Sequence, residues 1–264
     1  MKVGFFQFAP RFGETQRNLE SIIHAIDNFQ GDLLVFPELA LSGYQFLTKD
    51  EACELAEDIP TGPVCQQLEQ AIQGRELHVV VGLAERERDC VYNSAVLIGP
   101  NGYAGTYRKT HLFFEETLWF SPGNTGFKVW DIGIAKIGLL VCFDWFYPEA
   151  ARILALKGAD ILCHPSNLVL PHCPDAMVTR CLENHVFAVT ANRVGCEQRG
   201  SKSPLSFIGL SEIVAPNGQI VHRASQNEPE LFSCEIDVTQ ARDKHINPYN
   251  DLLNDRKPEW YIEW

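Results

Sequence analysis

Apolar residues recur along this chain at strand and helix spacing, and the two patterns alternate. Residues 2–9 (KVGFFQFA) and 32–36 (DLLVF) form apolar runs typical of buried strands, and residues 15–29 between them carry apolar positions at helical spacing. This order predicts a strand-helix-strand opening. Later segments continue the pattern, with further helices expected at 50–57, 63–73, 148–157 and 174–185, and further strands at 78–84, 93–98, 103–108, 134–141, 160–164, 187–191, 208–214, 220–223 and 231–236.

Two Pro-Asn-Gly turns lie in similar surroundings. The segment SAVLIGPNG begins at Ser94, and the segment SEIVAPNG begins at Ser211. Such self-similarity hints at an internal repeat of two related halves. Alternating helices and strands mixed with hairpins indicate an α/β fold, and suggest a four-layer α-β-β-α sandwich with two mixed β-sheets and an internal pseudo-two-fold. The pattern by itself supports only an α/β fold with a mixed sheet.

Composition narrows the classes of function. The 264 residues are 45% hydrophobic and 21% charged, which is ordinary for a folded domain, and no stretch resembles a linker. We therefore expect one domain over residues 1–264. The net charge of −12, without a cluster of basic residues, argues against nucleic acid or an anionic membrane surface as a partner.

The apolar runs and the cysteines indicate where the protein is located. No stretch approaches the ~20 apolar residues of a membrane span, and Gln7 and Pro10 interrupt the first apolar run before a secretory signal could form. Nine cysteines, an odd number at irregular spacings, indicate reduced thiols rather than a disulfide framework. We expect a cytoplasmic protein without membrane contact.

Three predicted strands end in a reactive side chain: Glu38, Lys109 and Cys142. Cys142 lies between an apolar strand and a helix that Pro148 would begin, so it occupies a strand-to-helix elbow, a turn that presents a nucleophile and backbone N–H groups to the same space. A carboxylate, an ammonium and a thiol at one sheet edge could serve as base, oxyanion stabiliser and nucleophile. The structural alternatives are a buried core cysteine and an ordinary ion pair.

The segments around these residues resemble the signature motifs of the nitrilase (carbon-nitrogen hydrolase) superfamily. They are FPELALSGY at 36–44, GTYRKTHLF at 105–113 and GLLVCFDWFYPE at 138–149, and further similar segments are HPSN at 164–167, RCLENHVFAVTANRVG at 180–195 and FIGLSEIVAPNG at 207–218. The likeness covers nearly the whole chain. It implies the four-layer sandwich that periodicity only suggests, and it implies a homodimer or higher homo-oligomer.

By position, the resemblance implies that Glu38 is the general base, Lys109 the cation beside the oxyanion and Cys142 the nucleophile. The backbone N–H of Phe143 would complete the oxyanion site. Many members of the superfamily carry a second glutamate six residues before a Pro-Gly, and in FEETLWFSPG that spacing selects Glu116 rather than Glu115. A second carboxylate would keep Lys109 charged and oriented; the alternative is a solvated acid in a loop.

Residues near the motif ends are candidates for the substrate pocket, although each could instead be core. They are Tyr44, Phe113, Trp119, Trp145 and Asn167.

Cys163-His164 and His172-Cys173 could suggest a zinc site, but adjacent ligand pairs lack the usual zinc spacing, so we expect no metal and no cofactor. Glu183, Asn192 and Arg193 also match superfamily positions, and a structural network is the favoured interpretation.

These observations predict a thiol hydrolase that cleaves a non-peptide carbon–nitrogen bond of a small aliphatic amide through a thioester and releases ammonia. Residues 166–174 contain no Arg or Lys that could bind a substrate carboxylate, which disfavours N-carbamoyl amino acids and α,ω-amidic acids. A nitrilase is the main alternative, because the same three side chains can attack a nitrile. A non-catalytic binding protein is a further alternative, and the intact Glu38, Lys109 and Cys142 argue against it.

The C-terminal tail, about 245–264, is expected to pack on a partner subunit. It ends in RKPEWYIEW, which includes Trp260, Tyr261 and Trp264 and departs from the tryptophan-rich ending common in the superfamily. The size of the oligomer therefore stays open.

Overall fold

Two β-sheets lie face to face in the computed structural model, which describes residues 1–261. In chain order the strands are β1 (Lys2–Gln7), β2 (Leu33–Val35), β3 (Glu57–Asp58), β4 (His78–Glu87), β5 (Cys90–Gly99), β6 (Gly102–Arg108), β7 (Val129–Asp131), β8 (Lys136–Leu139), β9 (Ile161–Pro165), β10 (Phe187–Ala191), β11 (Cys196–Glu197), β12 (Leu205–Ser206), β13 (Glu212–Val214), β14 (Ile220–Arg223), β15 (Glu230–Glu235), β16 (His245–Asn247) and β17 (Asn250–Asp251).

The helices are α1 (Thr15–Asn28), α2 (Lys49–Glu54), α3 (Pro63–Ile72), α4 (Glu116–Trp119), α5 (Pro148–Leu156), α6 (Cys173–Asn184) and α7 (Thr239–Arg242), with 3₁₀ turns at Cys142–Phe146 and Pro258–Trp260. The bounds of α1, α2, α3, α5 and α6 agree with the predicted helices to within a few residues, whereas α4 and α7 were not predicted. No helix within residues 1–261 has the length and apolar character needed to cross a membrane.

The first sheet has the order β15-β1-β2-β4-β5-β6, with β3 added on β4, and the second has the order β14-β13-β10-β9-β8-β7. From β15 to β6 the successive pairs are antiparallel, parallel, parallel, antiparallel and antiparallel. From β7 to β14 the same series recurs. Both sheets therefore follow one plan, in agreement with the predicted pseudo-two-fold.

The core lies between the sheets, and helices cover their outer faces. Val3 and Val35 of the first sheet belong to the same buried cluster as Ile137 and Val189 of the second. Outside the first sheet, α1 and α3 pack their apolar faces on the strands, while α5 and α6 cover the second sheet. The predicted four-layer sandwich is confirmed.

The strand predicted at 208–214 starts only at Glu212. Gly209 and Leu210 both have a φ of +57°, in the left-handed region that a strand cannot contain. The strand predicted at 134–141 is shorter as well, because Gly133 has a φ of +85° and Ile134 lies in the turn that follows. Local backbone conformation, which apolar periodicity does not encode, sets both boundaries.

The tail begins with the β16–β17 hairpin, and its aromatic residues face outward. Trp260 and Tyr261 are 76% and 55% exposed. Trp264, the third aromatic residue predicted to pack on a partner, lies outside the described residues.

Candidate active site

A buried lysine lies between two buried carboxylates at one edge of the first sheet. The Lys109 ammonium donates to Glu38 Oε1 at 2.6 Å and to Glu116 Oε1 at 2.8 Å. The side chains of Lys109 and Glu38 are fully buried, and that of Glu116 is 4% exposed. Burial acts to lower the pKa of Lys109, but the charges of Glu116 and Glu38 outweigh it, so the pKa lies above its ordinary value. The two carboxylates therefore favour the charged form of Lys109.

Glu38 keeps one carboxylate oxygen free. Its Oε1 accepts from Lys109 and, at 2.7 Å, from the side-chain amide of Asn93, whereas its buried Oε2 has no partner among residues 1–261. Backbone proximity helps to hold this residue, because a Cβ at Gly82 would come within 2.5 Å of the Glu38 Cα. Glycine at position 82 thus allows β4 to lie directly against the segment that carries Glu38.

Cys142 begins the 3₁₀ turn after β8 with a φ of +42°. A non-glycine residue in the left-handed region costs on the order of 1 kcal/mol, which the surrounding contacts must offset. Asp144 provides such contacts, since its Oδ2 accepts from the Val141 N–H at 2.9 Å and from the Tyr107 hydroxyl at 2.8 Å. His164 adds another by donating to the Cys142 carbonyl at 2.8 Å. The predicted elbow is therefore a tightly bonded turn.

The surroundings of the Cys142 thiol favour its protonated form. Burial raises its pKa well above the ordinary value, and the charge of Glu38 raises it further, while Lys109 and the backbone N–H of Asn167 act in the opposite direction. A thiol of this kind could act as a nucleophile only with a base that removes its proton as it reacts.

Glu116 is held from three sides. It binds Lys109, its Oε1 accepts from the Tyr44 hydroxyl at 2.7 Å, and its Oε2 accepts from the Phe113 N–H at 3.2 Å. Burial raises its pKa, an effect that Lys109 opposes. Glu115 behaves differently, because it is 34% exposed and pairs with Lys202 at 2.6 Å on the surface.

A narrow, largely apolar pocket opens next to Cys142. Its empty volume is about 230 Å³, mouth included, and its wall contains Phe113, Phe143, Trp145 and Asn167 of the predicted residues, together with Leu168, Val169 and Leu170. Tyr44 and Trp119 are not part of this wall. They line a second cavity on the other side of Glu116, where the Lys202 ammonium lies 5.0 Å from the centre of the Trp119 ring.

The residues at the remaining superfamily positions form structural contacts. Buried Arg193 donates to Glu197 at 2.5 Å, and Glu197 in turn accepts from the Tyr44 N–H at 3.0 Å. Asn192 binds the backbone on both sides, and Glu183 accepts from Arg180 at 2.9 Å. Within residues 1–261, no three His, Cys, Asp or Glu side chains form a group that could hold a metal ion.

Sequence reasoning missed two side chains that support the site. Asn93 binds Glu38 from the middle of β5, and Asp144 anchors the turn that carries Cys142. A signal for Asn93 was present, because an amide inside an otherwise apolar strand must bond to something when it is buried. For Asp144 the signal was weaker, since an acid at this position could equally have served as an ordinary cap of a helix.

The chain is similar to known proteins over nearly its whole length. A family model described as Carbon-nitrogen hydrolase matches residues 2–245. A protein of Pyrococcus abyssi named "Nitrilase" is 45% identical over 99% of both chains, and an "(R)-stereoselective amidase" of a Pseudomonas species is 38% identical over 97% of this chain and 92% of its own. The crystal structure of a carbon-nitrogen hydrolase from Helicobacter pylori superposes with a TM-score of 0.88 at 27% identity and covers 99% of this chain and 97% of its own.

Proposed function

The chain belongs to the carbon-nitrogen hydrolase family, and from that premise we propose that it hydrolyses small aliphatic amides through a thioester on Cys142. The observation that carries the proposal is the arrangement around Lys109. The ammonium fixes Glu38 through Oε1 and leaves the buried Oε2 free as a base, while the charge of Glu38 acts directly on the Cys142 thiol.

In the first half-reaction Glu38 Oε2 takes the proton of the Cys142 thiol as the sulfur attacks the amide carbon. The negative oxygen of the tetrahedral intermediate is bound by the Lys109 ammonium and the backbone N–H of Phe143. Each such donor is commonly worth roughly 3 to 4 kcal/mol of transition-state stabilisation. Glu38 then returns its proton to the nitrogen, the carbon–nitrogen bond breaks, and ammonia leaves an acyl group on the sulfur.

In the second half-reaction Glu38 takes a proton from water, which attacks the thioester carbon. The carbon–sulfur bond breaks, the thiolate of Cys142 is protonated again, and the carboxylic acid leaves. Glu116 takes no proton in this scheme. Its role is to hold the ammonium of Lys109 in place and to balance part of its charge.

The pocket beside Cys142 supports the proposal that the acyl group of the substrate is neutral. Its wall contains no charged side chain, and moving an unpaired carboxylate out of water costs several kcal/mol. Arg180 was the nearest cation that could have changed this expectation. Its Nε donates to the Trp145 carbonyl at 3.2 Å and its Nη1 to Glu183 at 2.9 Å, so its guanidinium is engaged behind the pocket wall.

Nitrile hydrolysis is the second candidate, and the relative named "Nitrilase" at 45% identity favours it. The same three side chains can add the thiol to a nitrile carbon to form a thioimidate. A panel of amides, nitriles and N-carbamoyl compounds, assayed by ammonia release, separates the candidates. We expect propionamide to have a higher kcat/KM than propionitrile or an N-carbamoyl amino acid of similar length, and faster release from propionitrile would overturn the preference for amides.

The proposal extends to assembly and location. We propose one domain over residues 1–264 that forms a cytoplasmic homodimer or higher homo-oligomer, in which the tail from about 245 packs on a partner. The exposed Trp260 and Tyr261 support this, as an apolar tail gains most when a partner covers it. Light scattering during gel filtration should give at least twice the 29.7 kDa chain mass, and a monomer at micromolar concentration would contradict it.

A further inference from the structure

Asn167 has a buried side chain without a hydrogen bond. It is 2% exposed, and neither its Nδ2 nor its Oδ1 has a partner among residues 1–261. Buried polar groups are nearly always bonded, because an unsatisfied one costs about 1 to 3 kcal/mol. Asn192, equally buried nearby, shows the ordinary case: its Oδ1 accepts from the Leu168 N–H and its Nδ2 donates to the Gly209 carbonyl. Asn167 therefore has free hydrogen-bonding capacity at a cost to stability.

Asn167 also lines the pocket that contains Cys142. Cys142 and Asn167 lie in the same pocket wall, and the backbone N–H of Asn167 acts to lower the pKa of the Cys142 thiol, so a group bound beside Asn167 lies close to the reacting atom. The rest of the wall is apolar: Phe113, Phe143, Trp145, Leu168, Val169 and Leu170. Glu38, Lys109 and Glu116 do not line this pocket, which makes it the space for the acyl group rather than for departing ammonia.

Resting on the proposed function, we infer that Asn167 selects acyl groups that carry a neutral hydroxyl on the carbon next to the carbonyl. A hydroxyl can donate to Oδ1 and accept from Nδ2, so one small group uses both sides of the amide. An ammonium could only donate, a carboxylate could only accept, and either would bring a charge into an apolar pocket. The substrate class is therefore the short 2-hydroxy carboxamides.

The preference can be measured with two substrates that differ only in this hydroxyl. Lactamide and propionamide have the same carbon chain, and kcat/KM for each is obtained from ammonia release. A hydrogen bond of ordinary strength predicts that the wild-type protein prefers lactamide by about tenfold. A wild-type ratio of one or less would overturn the inference without any variant.

Asn167→Leu tests the residue itself. We expect the ratio of lactamide to propionamide to fall by about tenfold. The melting temperature should stay the same or rise, because an unsatisfied buried amide has been replaced by an apolar group of similar volume. A merely structural role predicts the reverse, a lower melting temperature with an unchanged ratio. Asn192→Ala, which removes a bonded amide, is the matched control and should lower the melting temperature without changing the ratio.

The outcomes separate this inference from the proposal on which it rests. If propionamide is hydrolysed and the hydroxyl brings no preference, or if the preference survives in Asn167→Leu, the inference is wrong and the amidase function stands. If neither amide releases ammonia while propionitrile does, the amidase proposal fails and the inference fails with it.

Discussion

The two sheets place different residues at matching positions. Lys2 and Lys136 each donate their N–H to an aspartate at the start of the next strand, Asp32 at 2.6 Å and Asp160 at 2.9 Å. The segments that begin at these aspartates, DLLVFPE at 32–38 and DILCHPS at 160–166, then align residue by residue without a gap. Glu38 in the first half therefore corresponds to Ser166 in the second.

The other reactive residues correspond in the same way. KVGFFQF at 2–8 matches KIGLLVC at 136–142, which aligns Phe8 with Cys142. Lys109 donates its N–H to the Asn93 carbonyl at 2.8 Å, and Ala224 donates to the Ser211 carbonyl at 2.8 Å. The first half thus supplies a carboxylate and an ammonium, and the second supplies only the thiol. The repeat preserves the framework, and the proposed chemistry depends on the asymmetry between the two halves.

The largest expected effect comes from the thiol. Cys142→Ala should lower kcat by about five to six orders of magnitude, as the loss of a covalent nucleophile does elsewhere. Intact-mass measurement with a slow amide should show one acyl adduct on the wild-type protein and none on the variant. Exposed Cys196→Ala is the matched control and should keep full activity. Substantial turnover by Cys142→Ala would remove the thiol from the mechanism.

The next effect contrasts Glu38 with its counterpart. Glu38→Gln keeps the size of the side chain but removes the base, and we expect kcat to fall by about a thousandfold. Ser166→Ala, at the matching position of the second half, should stay within a few-fold of wild type. Steady-state ammonia release measures both. Similar losses in the two variants would show that the halves share the chemistry more evenly than their asymmetry indicates.

A smaller effect separates two adjacent acids. Glu116→Gln should lower kcat by roughly a hundredfold, because it weakens the pairing that orients buried Lys109. Glu115→Gln breaks only the pair with Lys202 at the surface, and its effect should be below twofold. The same assay compares them. If the order were reversed, the predicted role of Glu116 would pass to its neighbour.

The last prediction concerns the free energy of unfolding. It depends on His164, which occupies the position that Phe36, a residue without a titrating group, holds in the first half. Burial lowers the pKa of His164 to about 4, from an ordinary value of 6.5. Between these values the unfolded chain binds a proton that the folded protein does not, so acidification lowers the free energy of unfolding. The size of this loss is about 3 kcal/mol between pH 7 and pH 4.

His164→Asn removes the titrating group, so the variant should lose less stability on acidification than the wild-type protein does. Urea unfolding of both proteins at pH 7 and pH 4.5 measures the difference, and other titrating groups cancel in the comparison. Parallel stability curves would mean that burial does not lower the pKa of His164 in the folded protein.

The sequence was most informative where the function of a segment fixes the spacing of its residues, as in periodic apolar positions and in short motifs. Apolar periodicity located the longer helices, and the three motifs located Glu38, Lys109 and Cys142; in the structure Lys109 pairs with Glu38, and the charges of both act on the Cys142 thiol. Contacts between distant segments were not accessible in this way. That Asn93 binds Glu38, and that Trp119 lies behind Glu116 rather than beside Cys142, depends on how β5 and α4 pack in three dimensions. The short strand β3 and the tail hairpin lack a periodic pattern long enough to be recognised.

In the proposed mechanism the thiol and its base come from opposite sheets. This arrangement also sets the stage of synthesis at which the chain can become reactive. Cys142 follows β8, and the sheet that holds β8 needs β9, β10, β13 and β14, the last of which ends at Arg223. A nascent chain that has reached residue 142 cannot yet hold the elbow in its left-handed conformation or bring Glu38 to the sulfur. Its cysteine is then an ordinary thiol, and the proposed pairing of this nucleophile with Glu38 as its base becomes possible only when translation has delivered the second sheet.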